Sequence, residues 1–156
     1  MTDEHWMRIT IEKAREGISG GQTPFGAAIV RGDELIIAAH NLVWQSADIT
    51  AHAEVTAIRQ ACQRLKLIDL SGCTIYSTCE PCPMCFAACH WARLDRIVYG
   101  ASIADAAGAG FNEMRVGNAE LKRLSGSLVM ITPDVLKQDA AALFGFWKRH
   151  PQSRVY

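Results

Sequence analysis

The sequence predicts an α/β fold, a mixed sheet covered by helices on both faces. Three observations lead there. Stretches with apolar residues at helical spacing alternate with short apolar runs bounded by turn residues, giving the order α-β-β-α-β-α-β-(α)-β-α. The length, 156 residues, suits a single domain over 1–156 that buries roughly two-thirds of its unfolded surface. Hydrophobic residues make up 49% of the chain against 21% charged, enough for a core that needs no disulfides.

The elements follow in order. Residues 3–18 read as a helix with Met7, Ile11, Ala14 and Ile18 on one face, and Gly17, Gly20 and Gly21 help to end it. The apolar run 25–30, the turn Arg31-Gly32-Asp33-Glu34 and the run 35–39 read as a β-hairpin. Residues 45–50 read as a polar loop, from which Thr50 caps a second helix with the stripe Val55, Ile58, Cys62 and Leu65. Strands are expected at 74–78, 96–100 and 128–132, and a helix at 83–91. The Ala/Gly-rich stretch 105–117 reads as a loop. Thr132-Pro133-Asp134 reads as the start of a last helix whose inner face is Leu136, Ala140, Leu143, Phe144 and Trp147.

Charge and hydropathy exclude several functions. Sixteen Lys plus Arg balance sixteen Asp plus Glu, which argues against nucleic-acid or anionic-lipid partners. No apolar run approaches the ~20 residues that span a bilayer, so no membrane partner is expected. The start Met1-Thr2-Asp3-Glu4 is polar and acidic and reads as no secretory signal, which makes the expected compartment cytoplasmic.

All six cysteines fall between 62 and 89, four of them within 79–89. In a reducing compartment such clustering favours a metal over disulfides. Two motifs carry the chemistry: His52-Ala53-Glu54, and Pro81-Cys82-Pro83-Met84-Cys85. Together they match the pattern of zinc-dependent nucleobase deaminases. His52, Cys82 and Cys85 leave the fourth tetrahedral position of Zn2+ open, as catalysis requires. Cys82 and Cys85, three apart, can share one helical face at a helix N-terminus that favours thiolates. His52 and Glu54, two apart, can share a site only if the metal lies beyond a helix N-terminus. Both helices are therefore expected to point their N-termini at the metal. Zinc would acidify its water towards ~7 and supply hydroxide as the nucleophile, with Glu54 as the proton shuttle. Cys79 and Cys89 read as packed small residues. The rival reading makes one of them a fourth ligand in a closed, non-enzymatic zinc module, which leaves Glu54 without a task.

The segments Pro24-Phe25-Gly26-Ala27, 50–59 and 79–85, followed by Trp91-Ala92-Arg93, resemble the small bacterial guanine deaminases of the cytidine deaminase superfamily. The likeness runs over nearly the whole chain. It implies a three-layer α/β/α sandwich with a five-stranded mixed sheet, and hydrolysis of guanine to xanthine and ammonia in purine catabolism. It also implies a homodimer whose C-terminal segment, about 133–156, is swapped to close the partner's site. The resemblance places Asn41 at the purine edge, the Ala53 backbone near the attacked amidine, Phe25 stacked on the ring and Trp91 in the pocket lining. Tyr156 becomes part of a lid. Family members carry a second carboxylate after a Gly-Phe pair, often Asp; here Gly110-Phe111-Asn112-Glu113 gives that role to Glu113. Asp105 nearby reads as a loop-capping residue.

Two other substrate classes share these motifs. A tRNA adenosine-editing deaminase would need a basic face, which this neutral chain lacks, whereas guanosine and aminotriazines stay open, because the pocket near the ribose position depends on the C-terminal lid.

Overall fold

A computed structural model describes all 156 residues. Seven helices and five strands follow one another as α1 (Asp3–Ser19), β1 (Gly26–Arg31), β2 (Glu34–His40), α2 (Val43–Ser46), α3 (Ala53–Leu65), β3 (Cys73–Cys79), α4 (Pro83–Trp91), β4 (Arg96–Ala101), α5 (Ile103–Gly108), α6 (Asn118–Ser125), β5 (Met130–Thr132) and α7 (Lys137–Lys148). The five strands form one mixed sheet in the order β2-β1-β3-β4-β5. β1 runs antiparallel to both its neighbours, while β3, β4 and β5 are parallel. The two parallel crossovers need intervening segments long enough to return the chain, which α4 and α5–α6 supply.

Strand alternation divides the core into two layers. Ala28, Val30, Tyr76 and Val98 face α1 and α7, where Met7, Ile11, Ala14, Ala140, Leu143 and Trp147 pack on them. Ala27, Ile29, Ile75 and Ile97 face the other way, onto Ala53, Ala57 and Ala61 of α3 and Phe86 and Cys89 of α4. This is the expected α/β/α sandwich. Gly26 lies where α1 crosses β1: a Cβ there would stand 2.5 Å from the Thr10 carbonyl oxygen. No helix is long and apolar enough to cross a membrane.

Several expectations need correction. The buried face of α3 is Ala53, Ala57 and Ala61; Val55, Ile58, Cys62 and Leu65 flank it, half-buried. Small alanines let the helix lie close on the sheet, so the bulkier row is pushed to the side. Thr50 caps no helix; its amide and hydroxyl both bond Asp48, and the N-cap of α3 is His52. The stretch 105–117 is not all loop, since α5 occupies its start behind a Ser102/Asp105 capping box. The last helix starts at Lys137 rather than near 133, because Asp134 and Leu136 take left-handed φ values of 63° and 49°.

The C-terminal segment lies on its own chain. α7 packs across β3 and β4, and the tail returns over the carboxyl end of β3. Trp44 holds that tail, its Nε1 donating to the Arg154 carbonyl at 3.3 Å and its ring stacking under the Arg154 guanidinium at 3.7 Å.

Candidate metal and active site

Two helix N-termini and the end of β3 meet at one point. His52 is the N-cap of α3 and Cys82 the N-cap of α4, with Pro83 pre-set as the first helical residue. The two-residue spacing of His52 and Glu54 is accommodated as anticipated, by folding over the helix end. His52 Nδ1, Cys82 Sγ and Cys85 Sγ form a group in which each atom lies within 4.8 Å of the others. Nδ1 stands 3.6 Å from Cys82 Sγ and 3.5 Å from Cys85 Sγ. Tetrahedral zinc, with sulfur at ~2.3 Å and nitrogen at ~2.0–2.1 Å, sets that edge at roughly 3.6 Å. The residues fit the ion. Cys79 and Cys89 stay outside the group; Cys79 instead gives its thiol to the Ser102 carbonyl at 3.4 Å.

Glu54 is buried beside this cluster. The Ser77 hydroxyl donates to its Oε1 at 3.2 Å, and the Cys85 thiol faces Oε2 at 3.5 Å. Phe25, His52, Glu54, Cys82, Glu113 and Tyr156 enclose an inner space of ≈20 Å³, which is room for about one water. On the other side of His52, Cys82, Glu113 and Tyr156, which line both, lies a cavity of ≈330 Å³ whose rim includes Ile49, Met84, Phe111 and Met114. A larger cleft of ≈690 Å³, near His90 and Leu128, contains none of these groups.

The family model for the cytidine and deoxycytidylate deaminase zinc-binding region matches residues 1–101. The chain belongs to this deaminase family. Among its relatives is a guanine deaminase of Bacillus subtilis, 46% identical over 114 residues, covering 72% of this chain and 73% of that one. A tRNA-specific adenosine deaminase of Aquifex aeolicus is 40% identical over 101 residues, covering 65% of this chain and 67% of its own. A solved guanine deaminase from Nitrosomonas europaea superposes with a TM-score of 0.86 at 29% identity, covering 94% of this chain and 84% of that one.

Electrostatics in the deaminase site are dominated by burial and by the sulfurs. Cys82 is pulled down to about 4, first by the thiol hydrogen bond from Cys85, which with His52 outweighs burial. Cys85 moves the opposite way, because it donates that bond and is itself buried. A metal cation held by both sulfurs would compete with the protons they carry. Burial would lower His52, but its bond to Cys82 and the Glu54 charge raise it overall. Glu54 is raised by burial and then by the Cys82 charge. Glu113 is raised to about 7, by burial first and then by Cys82.

The remaining expected residues divide. Asn41 is fully buried; its Oδ1 accepts from the Val43 amide at 3.0 Å and its Nδ2 donates to the Tyr156 hydroxyl at 2.8 Å. Tyr156 sits over the cluster, its ring centroid 5.6 Å from that of His52, and burial keeps the phenol protonated. Phe25 lines the inner space and meets Phe111 edge-on at 4.9 Å. Ala53 opens α3, where first-turn amides have no intrahelical acceptor. Trp91 is not brought there: it ends α4, the helix that begins at the cluster and leads away from it, and is 80% exposed. Its expected place in the pocket lining is corrected accordingly. Asp105 serves the capping box of α5 and lies outside the inner space.

Three contributors escaped the sequence reading. Ser77 orients Glu54, Glu80 lines the inner space, and Trp44 fixes the tail. Strand parity could have found Ser77, which is in phase with Cys73 and Ile75, residues whose side chains face α3.

Proposed function

We propose that this protein is a guanine deaminase, hydrolysing guanine to xanthine and ammonia. The observation that carries the reading is Tyr156. Its phenol seals the inner space above the His52/Cys82/Cys85 group and takes the Asn41 amide, so the site is shaped for a compact free base. The chain's formal net charge of zero offers RNA phosphates no general attraction. The 46% identity to a guanine deaminase supports the same reading.

His52, Cys82 and Cys85 would hold zinc, which when bound supplies the Lewis acidity that brings water near deprotonation at neutral pH. The chain's own groups do the rest. Glu54, aimed by Ser77, takes the proton from the attacking water and hands it to the ring nitrogen of the amidine. It then takes the second proton of that water, from the hydroxyl now on the attacked carbon, and delivers it to the amine; the C–N bond breaks as the carbonyl forms, and ammonia leaves. Burial keeps Glu54 basic enough to hold a proton between these transfers. Asn41 would give its Nδ2 to an acceptor on the purine edge once Tyr156 lets go, and the Ala53 amide, free at the start of α3, would face the amidine. Phe25 would pack against the ring. Glu113, titrating at about 7, would orient or relay a proton at the exocyclic amine. Tyr156 then closes over the bound base and excludes water.

The same reading includes a homodimer, in which exchange of the 133–156 segment would carry an equivalent Tyr156 to the partner's site. It also includes a cytoplasmic role in purine catabolism, supported by six unpaired cysteines that suit a reducing compartment. Ammonia release from guanine, guanosine, adenine, cytosine, an aminotriazine and a tRNA anticodon stem–loop tests the assignment. Guanine is expected to react fastest; release from the RNA alone would overturn it.

A further inference from the structure

The segment 109–117, between α5 and α6, has no regular structure of its own, yet it carries Phe111 and Glu113 into the site. The helix before it and the helix after it are tied, each at its first residue, to one side chain. Glu80 Oε2 accepts from the Ile103 amide, the first of α5, at 3.2 Å. Its Oε1 accepts from the Asn118 amide, the first of α6, at 2.8 Å. Asn118 completes the clasp by donating Nδ2 to the Pro81 carbonyl at 2.6 Å, although its own Oδ1 is left buried without a donor. Glu80 itself is fixed from behind, its amide donating to the Ala101 carbonyl at 2.8 Å. At Gly117 a Cβ would stand 3.2 Å from Oε1, so the segment passes close against the carboxylate.

We infer that Glu80 is a positioning residue. Its carboxylate staples the starts of α5 and α6 to the loop that bears Cys82, and so holds the stretch between them that sets where Glu113 stands relative to Glu54. The carboxylate form suits this task, because two oxygens can accept from two amides with charge-assisted bonds. Glutamine keeps one accepting oxygen and turns an NH₂ group against the second amide. Aspartate, one methylene shorter, cannot span both. The use of Glu113 in the chemistry rests on the guanine deaminase reading; the staple does not.

The test uses the full-length, zinc-loaded protein as wild type, Glu80→Gln, Glu80→Asp, Glu113→Gln and the double variant Glu80→Gln/Glu113→Gln. Amide hydrogen exchange over 103–118 is expected to quicken tenfold or more in both Glu80 variants, with zinc content unchanged. On guanine, Glu80→Gln should lower kcat by about tenfold or more with KM within about threefold, since misplacing a reacting group costs turnover rather than binding. The double variant should be no slower than Glu113→Gln alone, because Glu80 acts through Glu113. Unchanged exchange would overturn the staple, as would loss of zinc in both Glu80 variants. Multiplicative losses in the double variant would overturn its action through Glu113. If the wild type leaves guanine untouched, the functional reading fails, while the exchange data still decide the staple.

Discussion

Removal of a single oxygen, in Tyr156→Phe, tests how the site is gated. The Tyr156 hydroxyl accepts from Asn41 Nδ2 at 2.8 Å, and Asn41 has no exposed surface. Before a purine edge can use that amide, the phenol must release it. Phenylalanine fills the same volume but leaves a buried N–H unpaired in the closed, empty site, a cost of about 1–3 kcal/mol. A value of ~2 kcal/mol shifts the closed-to-open ratio about 30-fold towards open, because 1.4 kcal/mol is a factor of ten. Apparent affinity scales with the fraction of protein able to bind, so KM for guanine should fall by at least about 5-fold, and by about 30-fold at ~2 kcal/mol. The aromatic ring remains to close over the bound base, so kcat should change little. Steady-state kinetics on guanine, with product inhibition by xanthine measured alongside, reads both parameters. A KM that is unchanged or raised would refute the gating argument and place the hydroxyl among the groups that hold the substrate.

Two further predictions concern the frame that carries the site. Asp3, at the start of α1, accepts two bonds from Arg96 and one from the Tyr76 hydroxyl. Burial would raise its pKa, yet these bonds outweigh it and hold the carboxyl below its ordinary value. The stabilisation is therefore fully present above an ordinary pKa of ~3.9 and is lost as pH falls through the lower folded value. Asp3→Asn should cost about 1–2 kcal/mol and roughly 2–8 °C of Tm at pH 7, with the gap to wild type narrowing as pH falls below ~3.9; a gap that stays constant through the acid range would contradict this. Gly26→Ala should lower stability by about 1–3 kcal/mol, read as a lower urea midpoint at constant m, since its Cβ would press on the Thr10 carbonyl oxygen at 2.5 Å; an unchanged midpoint would show that α1 moves freely.

The parts of the molecule legible in the sequence are those set by short-range pattern. Helical spacing over Met7, Ile11, Ala14 and Ile18 and the apolar runs of the strands gave the sandwich, because burial of one face dictates both periods. The metal group was legible because coordination fixes residue types and spacing, and His52, Cys82 and Cys85 converge as those spacings demand. Long-range geometry was not legible. Trp91 ends the helix that starts at the cluster, a direction the motif spacing did anticipate. The resemblance drew it into the pocket, while its 80% exposure follows from the packing of Phe86 and Cys89, not Trp91, on the sheet. The α3 stripe misled because hydrophobicity favours Val55 and Ile58, whereas close approach to the sheet favours Ala57 and Ala61. Glu80 drew no reading from the sequence, since the two amides that donate to it are 23 and 38 residues downstream.

The central claim is best tested by xanthine formation from guanine, followed spectroscopically with protein carrying one equivalent of zinc, beside Glu54→Gln at the same zinc content. The account predicts stoichiometric xanthine and ammonia from the wild type. It predicts loss of turnover by at least about 10²-fold in Glu54→Gln, the range expected when a proton-transfer group is removed, with zinc retained because Glu54 is not among the three ligands. Equal rates in the two proteins, or no xanthine from the zinc-loaded wild type, would contradict it.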